Sequence, residues 1–182
     1  LCTVVEGHPD NLAPALYGGM TASLMREGRP VTARFPLSER LRFFALVPPF
    51  HLSTELARSV LPQRVPFADA VFNVSHAALL LRALETADTE MIALALDDRL
   101  HQPYRKGLIE GYDLAEQTAR SCGATAFCIS GAGPTCLCIA DNDAVGDRLR
   151  AALPEACPGW EVLSLTVDTE GAKLIGGNDA VL

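Results

Sequence analysis

Ala124-Thr-Ala-Phe-Cys-Ile-Ser-Gly-Ala-Gly-Pro-Thr-Cys-Leu-Cys-Ile-Ala140 is the stretch that decides the fold. Two short apolar runs, 124–129 and 136–140, flank a turn that holds two glycines and a proline. Runs this short, bounded by breakers, read as buried strands joined in a hairpin. Outward from it, 108–122 reads as one helix capped by Gly123, 144–153 as another, and 160–167 as a final strand. Upstream, Leu41-Arg-Phe-Phe-Ala-Leu-Val47 is a strong strand closed by Pro48-Pro49. Ser53 suits the N-cap of a helix carrying Leu56, Ala57 and Val60 and ended by Pro62. Residues 67–84 place Val71, Val74, Ala78 and Leu81 on one stripe, with further leucines beside it, so a mostly buried helix is expected. Residues 89–96 form a short helix. From residue 41 the order is β-α-α-α-α-β-β-α-β. That order fits an α+β fold: a ferredoxin-like antiparallel sheet with its helices packed on one face.

The first ~35 residues read differently. A turn cluster, Glu6-Gly-His-Pro-Asp-Asn11, leads into a short helix at 12–15 that Gly18-Gly19 stops. Strands at 20–25 and 30–35 follow, joined at Glu27-Gly28. This looks like the tail of a preceding unit, with a boundary between 1–38 and 39–182. Leu1-Cys-Thr-Val-Val5 carries no N-cap and no start signal, as expected for a portion of a longer polypeptide.

Composition narrows the function classes. Apolar residues make up 49% of the 182 and charged residues 20%, enough for a packed core. Fifteen Lys and Arg against 22 Asp and Glu give a net charge of −7. Nothing global in that balance attracts nucleic acid or an anionic membrane. An anionic ligand must then be held by local arginines and backbone amides. No apolar run approaches the ~18 residues of a membrane span. The six cysteines show neither C-x-x-C nor zinc spacing. Cys128, Cys136 and Cys138 lie in apolar runs as small hydrophobes, and a reduced, cytoplasmic protein is expected.

Four segments carry candidate chemistry. In Ser130-Gly-Ala-Gly-Pro-Thr135, successive backbone amides around Gly131, Ala132 and Gly133 can form an anion-binding nest; the plain alternative is a hairpin turn. In 6–11, a carboxylate, an imidazole and an amide sit close together. Asp10 and Asn11 can bind an ammonium or hydroxyl, and Asp10 can accept a proton; either also suits a helix N-cap. Asp97-Asp-Arg-Leu-His-Gln-Pro-Tyr-Arg105 ends on an arginine whose fork matches a carboxylate or phosphate, against the alternative of a solvated loop. Thr54 and Arg58 are four apart on one helix face. His76 on the long helix is either a site residue or a satisfied core histidine.

Together, 6–19, Val65-Pro-Phe-Ala-Asp-Ala-Val-Phe-Asn-Val-Ser75, 97–105 and 130–135 resemble the homoserine kinase family of the GHMP (galactokinase, homoserine kinase, mevalonate kinase, phosphomevalonate kinase) superfamily. The glycine loop marks only the superfamily; the stretches beginning at Glu6 and Asp97 point to homoserine kinases. The resemblance implies ATP-dependent phosphorylation of the L-homoserine hydroxyl to O-phospho-L-homoserine in threonine biosynthesis, with Mg²⁺. It implies that 1–38 ends the ATP-binding lobe and 39–182 is the GHMP C-terminal domain. By the same resemblance, His8, Asp10 and Asn11 line the homoserine site and Arg58 and Arg105 hold its carboxylate. Thr54 and His76 sit nearby, and Gly131, Ala132 and Gly133 brace substrate and phosphates. Members of the family often form homodimers.

The family's P-x-x-x-G-L-G-S-S-A type ATP loop has no counterpart in this sequence, and no metal ligand is assigned. The chain alone is expected to bind ATP weakly and to give no phosphoryl transfer to homoserine; clear turnover would refute this. Two other readings stay open. One is a mevalonate-type GHMP kinase, whose substrate needs no acid–amide pair for an amino group. The other is a non-catalytic, amino-acid-binding regulatory module.

Overall fold

The computed structural model describes residues 7–173, which fall into two compact units: 7–37 with 167–173, and Ser38–Thr166. Leu1–Val5, with Cys2, and the carboxylate of Glu6 lie outside the described residues. The sequence division had assigned everything after residue 38 to one domain. Instead, the segment from Val167 belongs with the first unit.

In the first unit, helix α1 (Leu12–Tyr17) leads into strands β1 (Met20–Arg26) and β2 (Arg29–Phe35), an antiparallel hairpin. The Ser23 and Thr32 hydroxyls share a hydrogen bond of 2.8 Å across it. The returning segment ties in through backbone: Gly19 N–H donates to the Asp168 carbonyl at 2.6 Å, and Ala172 N–H to that of Leu16 at 3.2 Å.

The second unit is built on β3 (Arg42–Val47), β4 (Ala126–Ile129), β5 (Cys136–Ala140) and β6 (Glu161–Leu165). They pair antiparallel in the order β4-β5-β3-β6, with β3 central. Between β3 and β4 come α2 (Thr54–Ser59), α3 (Phe67–Thr86), α4 (Thr89–Ala95), α5 (Gln102–Arg105), a 3₁₀ turn at Lys106–Leu108 and α6 (Tyr112–Ser121). Helix α7 (Ala144–Ala156) joins β5 to β6. Strand alternation sends Phe44, Leu46, Phe127, Ile129, Cys136 and Cys138 to one face. There they meet Ala115 and Ala119 of α6 and Val145, Leu149 and Leu153 of α7, in one core. Gly146 brings α7 against the sheet, since a Cβ there would collide with the Phe44 ring.

Ser53 caps α2 by accepting from Leu56 N–H at 3.1 Å, and Asp88 caps α4 by accepting from Met91 N–H at 3.0 Å. The architecture is the α+β antiparallel arrangement expected. Three details differ. The helix expected over 108–122 is broken: Gly111, at φ +83°, cannot continue a helix, so α6 starts one residue later. A short helix, α5, replaces the expected loop at the Pro103 break, because proline fits a first helical turn.

The third correction concerns α3, which is not mostly buried. Only Ala83 along it is buried, while Phe67 is 85% and Val74 72% exposed. With a mean hydropathy of 1.3 over an 18-residue window, α3 is also long and apolar enough, by length and composition, to cross a membrane. That differs from the expectation that no apolar run approaches a membrane span; Asp69, Asn73, His76 and Arg82 interrupt the apolar residues of α3 without bringing its mean hydropathy down. Asp69 and Asn73 are engaged with the loop that precedes α5.

The cysteines behave as hydrophobes. Cys122, Cys136, Cys138 and Cys157 are free and buried, and Cys128 is free and half-buried. Burial pushes the thiols of Cys128, Cys136 and Cys138 up to about 12, so they are not nucleophiles at neutral pH.

Candidate active site

Asp98 is the one buried charged residue among those described. Its Oδ1 accepts from Asn73 Nδ2 at 2.5 Å and Leu100 N–H at 3.1 Å. Its Oδ2 accepts from His101 N–H at 2.8 Å and Gln102 N–H at 2.6 Å. Burial opposes the carboxylate's charge, but these four hydrogen bonds outweigh it and hold the group below its usual range. Asn73 closes the loop from the other side: its Oδ1 accepts from Arg99 N–H at 2.9 Å. The Arg99 guanidinium lies 3.8 Å over the Phe72 ring and pairs with Asp69 at 3.3 Å.

The loop delivers two side chains to the glycine hairpin. Gln102 Oε1 accepts from Ile129 N–H at 2.8 Å, at the end of β4. Arg105 Nε donates to the Ala57 carbonyl of α2 at 3.1 Å, and its Nη1 donates to the Gly131 carbonyl at 3.0 Å. One guanidinium therefore links α2, which carries Thr54 and Arg58, to the glycine turn. Its Nη2 has no protein partner among the described residues. Arg58 and Thr54 are exposed, and Arg58 forms no ion pair among the described residues.

The turn itself is tight. Ser130 N–H donates to the Thr135 carbonyl at 2.9 Å and Gly133 N–H to that of Ser130 at 3.0 Å. Gly131 and Gly133 both have positive φ. A Cβ at Gly133 would press on Ile109 and Ile129, whereas at Gly131 nothing lies within 4 Å. Gly133 is thus fixed by packing, and Gly131 stands open at the turn's exposed face. Ala132 is half-buried beside it.

The remaining candidates are placed as follows. His76 is half-buried on α3; its Nδ1 lies 2.8 Å from the Phe72 carbonyl, and its ring stacks on Phe72 at 3.6 Å. These contacts satisfy it within its own helix. His8, Asp10 and Asn11 belong to the first unit and are exposed. Asn11 occupies the N-cap position of α1, yet its side chain makes no capping bond, and Asp10 Oδ1 accepts only from the adjacent Asn11 N–H at 3.1 Å. Neither polar end is consumed by holding the helix. A cleft of about 510 Å³ lies between α4 and α6, on the other side of the loop; Asp98 and Gln102 line it together with Leu96, Lys106, Arg120 and Phe127, whereas Thr54, Arg58, Arg105 and Gly131 do not. Among the described residues, no group of three or more His, Cys, Asp or Glu could hold a metal ion.

Sequence reasoning did not assign roles to Asp98, His101 or Gln102. The signal for Gln102 and His101 is only their position ahead of Arg105. That for Asp98 is a carboxylate four residues before a short helix with proline in its first turn. His101 faces Asp98, with Nε2 3.9 Å from Oδ2, and Arg105, with Nδ1 3.4 Å from Nη1. Burial holds its pKa below the usual value of 6.5; Asp98 raises it and Arg105 lowers it further. A histidine kept neutral in the fold contributes stability that is complete above pH 6.5 and lost as pH falls below it. The chain is expected to melt progressively lower from about pH 7 to 5, and His101→Gln to flatten that slope. Identical slopes for the two proteins would remove His101 as its cause.

A family profile described as "GHMP kinases C terminal" matches residues 78–159. The homoserine kinase of Clostridium botulinum is 39% identical over 176 residues, covering 96% of this chain and 59% of that protein. The homoserine kinase of Nostoc punctiforme is 45% identical over 95% of this chain and 58% of its own length. The crystal structure of homoserine kinase from Cytophaga hutchinsonii superposes with a TM-score of 0.83 at 27% identity, covering 90% of this chain and 53% of that one. The chain thus spans somewhat more than half the length of the relatives it matches. In fold and in sequence, residues 78–159 are similar to the GHMP kinase C-terminal domain, and the chain is similar to homoserine kinases over nearly all its residues.

Proposed function

We propose that this chain forms part of a kinase that transfers the γ-phosphoryl group of ATP to the hydroxyl of L-homoserine. The observation that carries this reading is Arg105, anchored through two donors to Ala57 and Gly131 while Nη2 stays available. A guanidinium fixed by backbone carbonyls is pre-organised for a carboxylate, so less freedom is lost on binding. Arg58, four residues after Thr54 on α2, supplies a second cation. By the homoserine kinase resemblance alone, Asp10 and Asn11 supply an acid and an amide for the ammonium and hydroxyl ends. A zwitterion needs both kinds of partner, whereas a mevalonate-type substrate has no ammonium for the acid. Backbone amides at Gly131 and Ala132 are the groups proposed to receive the phosphates, since that of Gly133 is donated to the Ser130 carbonyl. The homoserine kinase relatives support the same substrate; a role in threonine biosynthesis and a cytoplasmic setting are part of the proposal and rest on that activity.

Phosphoryl transfer proceeds through a loose transition state, in which positioning and charge stabilisation do more than a strong base. Asp10 orients the attacking hydroxyl and takes its proton late. In the full-length polypeptide, Asp10→Asn is expected to lower kcat by about tenfold or more, with ATP and homoserine as substrates. A kcat within about twofold of the parent would leave Asp10 as a binding residue only.

A further inference from the structure

We propose that Asp98, held by Asn73, is a positioning residue for the substrate carboxylate, acting through Arg105 and the glycine turn. This rests on the reading of Arg105 as the carboxylate's partner. Two routes leave the Asp98 carboxylate. Through His101 N–H it sets the imidazole whose Nδ1 lies 3.4 Å from Arg105 Nη1. Arginine only donates, so Nδ1 is the acceptor and the ring is the neutral Nε2–H tautomer, with that proton on the side of Asp98. Through Gln102 N–H it sets the side chain that holds Ile129 N–H, two residues before Gly131. Arg105 then closes the circuit on the Gly131 carbonyl.

The carboxylate does this from the interior, and Asn73 on α3 anchors it across 25 residues of sequence. Asn73 serves both sides, donating to Asp98 and accepting from Arg99 N–H. A loop required only to join α4 to α5 would need no buried charge; desolvating one is costly unless it is fully hydrogen-bonded. The spacing also matters. Arg105 loses its place if the loop shifts, and a shift of about 1 Å in a positioning group is costly in such sites.

The test uses the full-length polypeptide and reads homoserine KM, ATP KM, kcat and melting temperature for Asp98→Asn, Asn73→Ala and Arg105→Ala. Asp98→Asn is expected to raise homoserine KM by about tenfold, and Asn73→Ala by about threefold, with ATP KM within about twofold of the parent. If Asp98→Asn does not fold, Asn73→Ala decides, since it removes an anchor and leaves the carboxylate in place. Folded variants that melt lower but keep the parent homoserine KM would overturn the proposal and make the network a structural brace alone. If Arg105→Ala itself leaves homoserine KM unchanged, the carboxylate reading falls and this proposal with it.

Discussion

Arg105→Ala in the full-length polypeptide is expected to raise the homoserine KM by about 30- to 900-fold, equivalent to about 2–4 kcal/mol, while kcat changes far less. The range is that of truncating one partner of a hydrogen-bonded charge pair, which leaves the other charge without its match. The structure adds a reason for the upper half of it. Arg105 also holds the Ala57 and Gly131 carbonyls, so its loss frees α2 from the glycine turn as well as removing the cation. Arg105→Lys separates the two effects. Lysine keeps the charge but offers a point donor where the fork made two fixed bonds, so it is expected to recover only part of the affinity. Arg58→Ala moves homoserine KM in the same direction without disturbing the turn, because Arg58 is exposed and forms no ion pair among the described residues. An unchanged KM in both alanine variants would remove the arginines from substrate binding.

Leu149→Ala is expected to destabilise the chain by about 2–5 kcal/mol, whereas Val74→Ala shifts it by about 0.5 kcal/mol or less. Leu149 is fully buried on α7 among Phe44, Leu46 and Cys138, and its truncation leaves a cavity in close-packed surroundings. Val74 is 72% exposed on α3, so little buried contact is lost there. Denaturant melts of the 182-residue chain measure both. Comparable losses at the two positions would contradict the division between a packed α6–α7 face and an exposed α3.

That division shows where sequence reading stops. The hairpin at 124–140 was legible because its information is local: two short apolar runs and a glycine turn need no distant partner. Caps at Ser53 and the strand at 42–47 were legible for the same reason. The stripe along α3 was visible too, but periodicity reports only that a helix has an apolar side, not what lies against it. The break at Gly111 is marked only by the glycine itself, which a helical pattern can tolerate at modest cost. Asp98 lay beyond sequence reasoning because its meaning depends on Asn73, one helix earlier, and on amides whose direction the loop alone decides. Arg105 was picked out by residue type, whereas its two carbonyl partners, Ala57 and Gly131, come from segments 48 residues before and 26 residues after it.

The most direct measurement is phosphoryl transfer from ATP by the full-length polypeptide, with homoserine and mevalonate supplied in parallel. An acid–amide turn and an arginine pair matched to a zwitterion predict a kcat/KM for homoserine about 100-fold or more above that for mevalonate. Equal turnover of the two, a preference for mevalonate, or no transfer to either would contradict it.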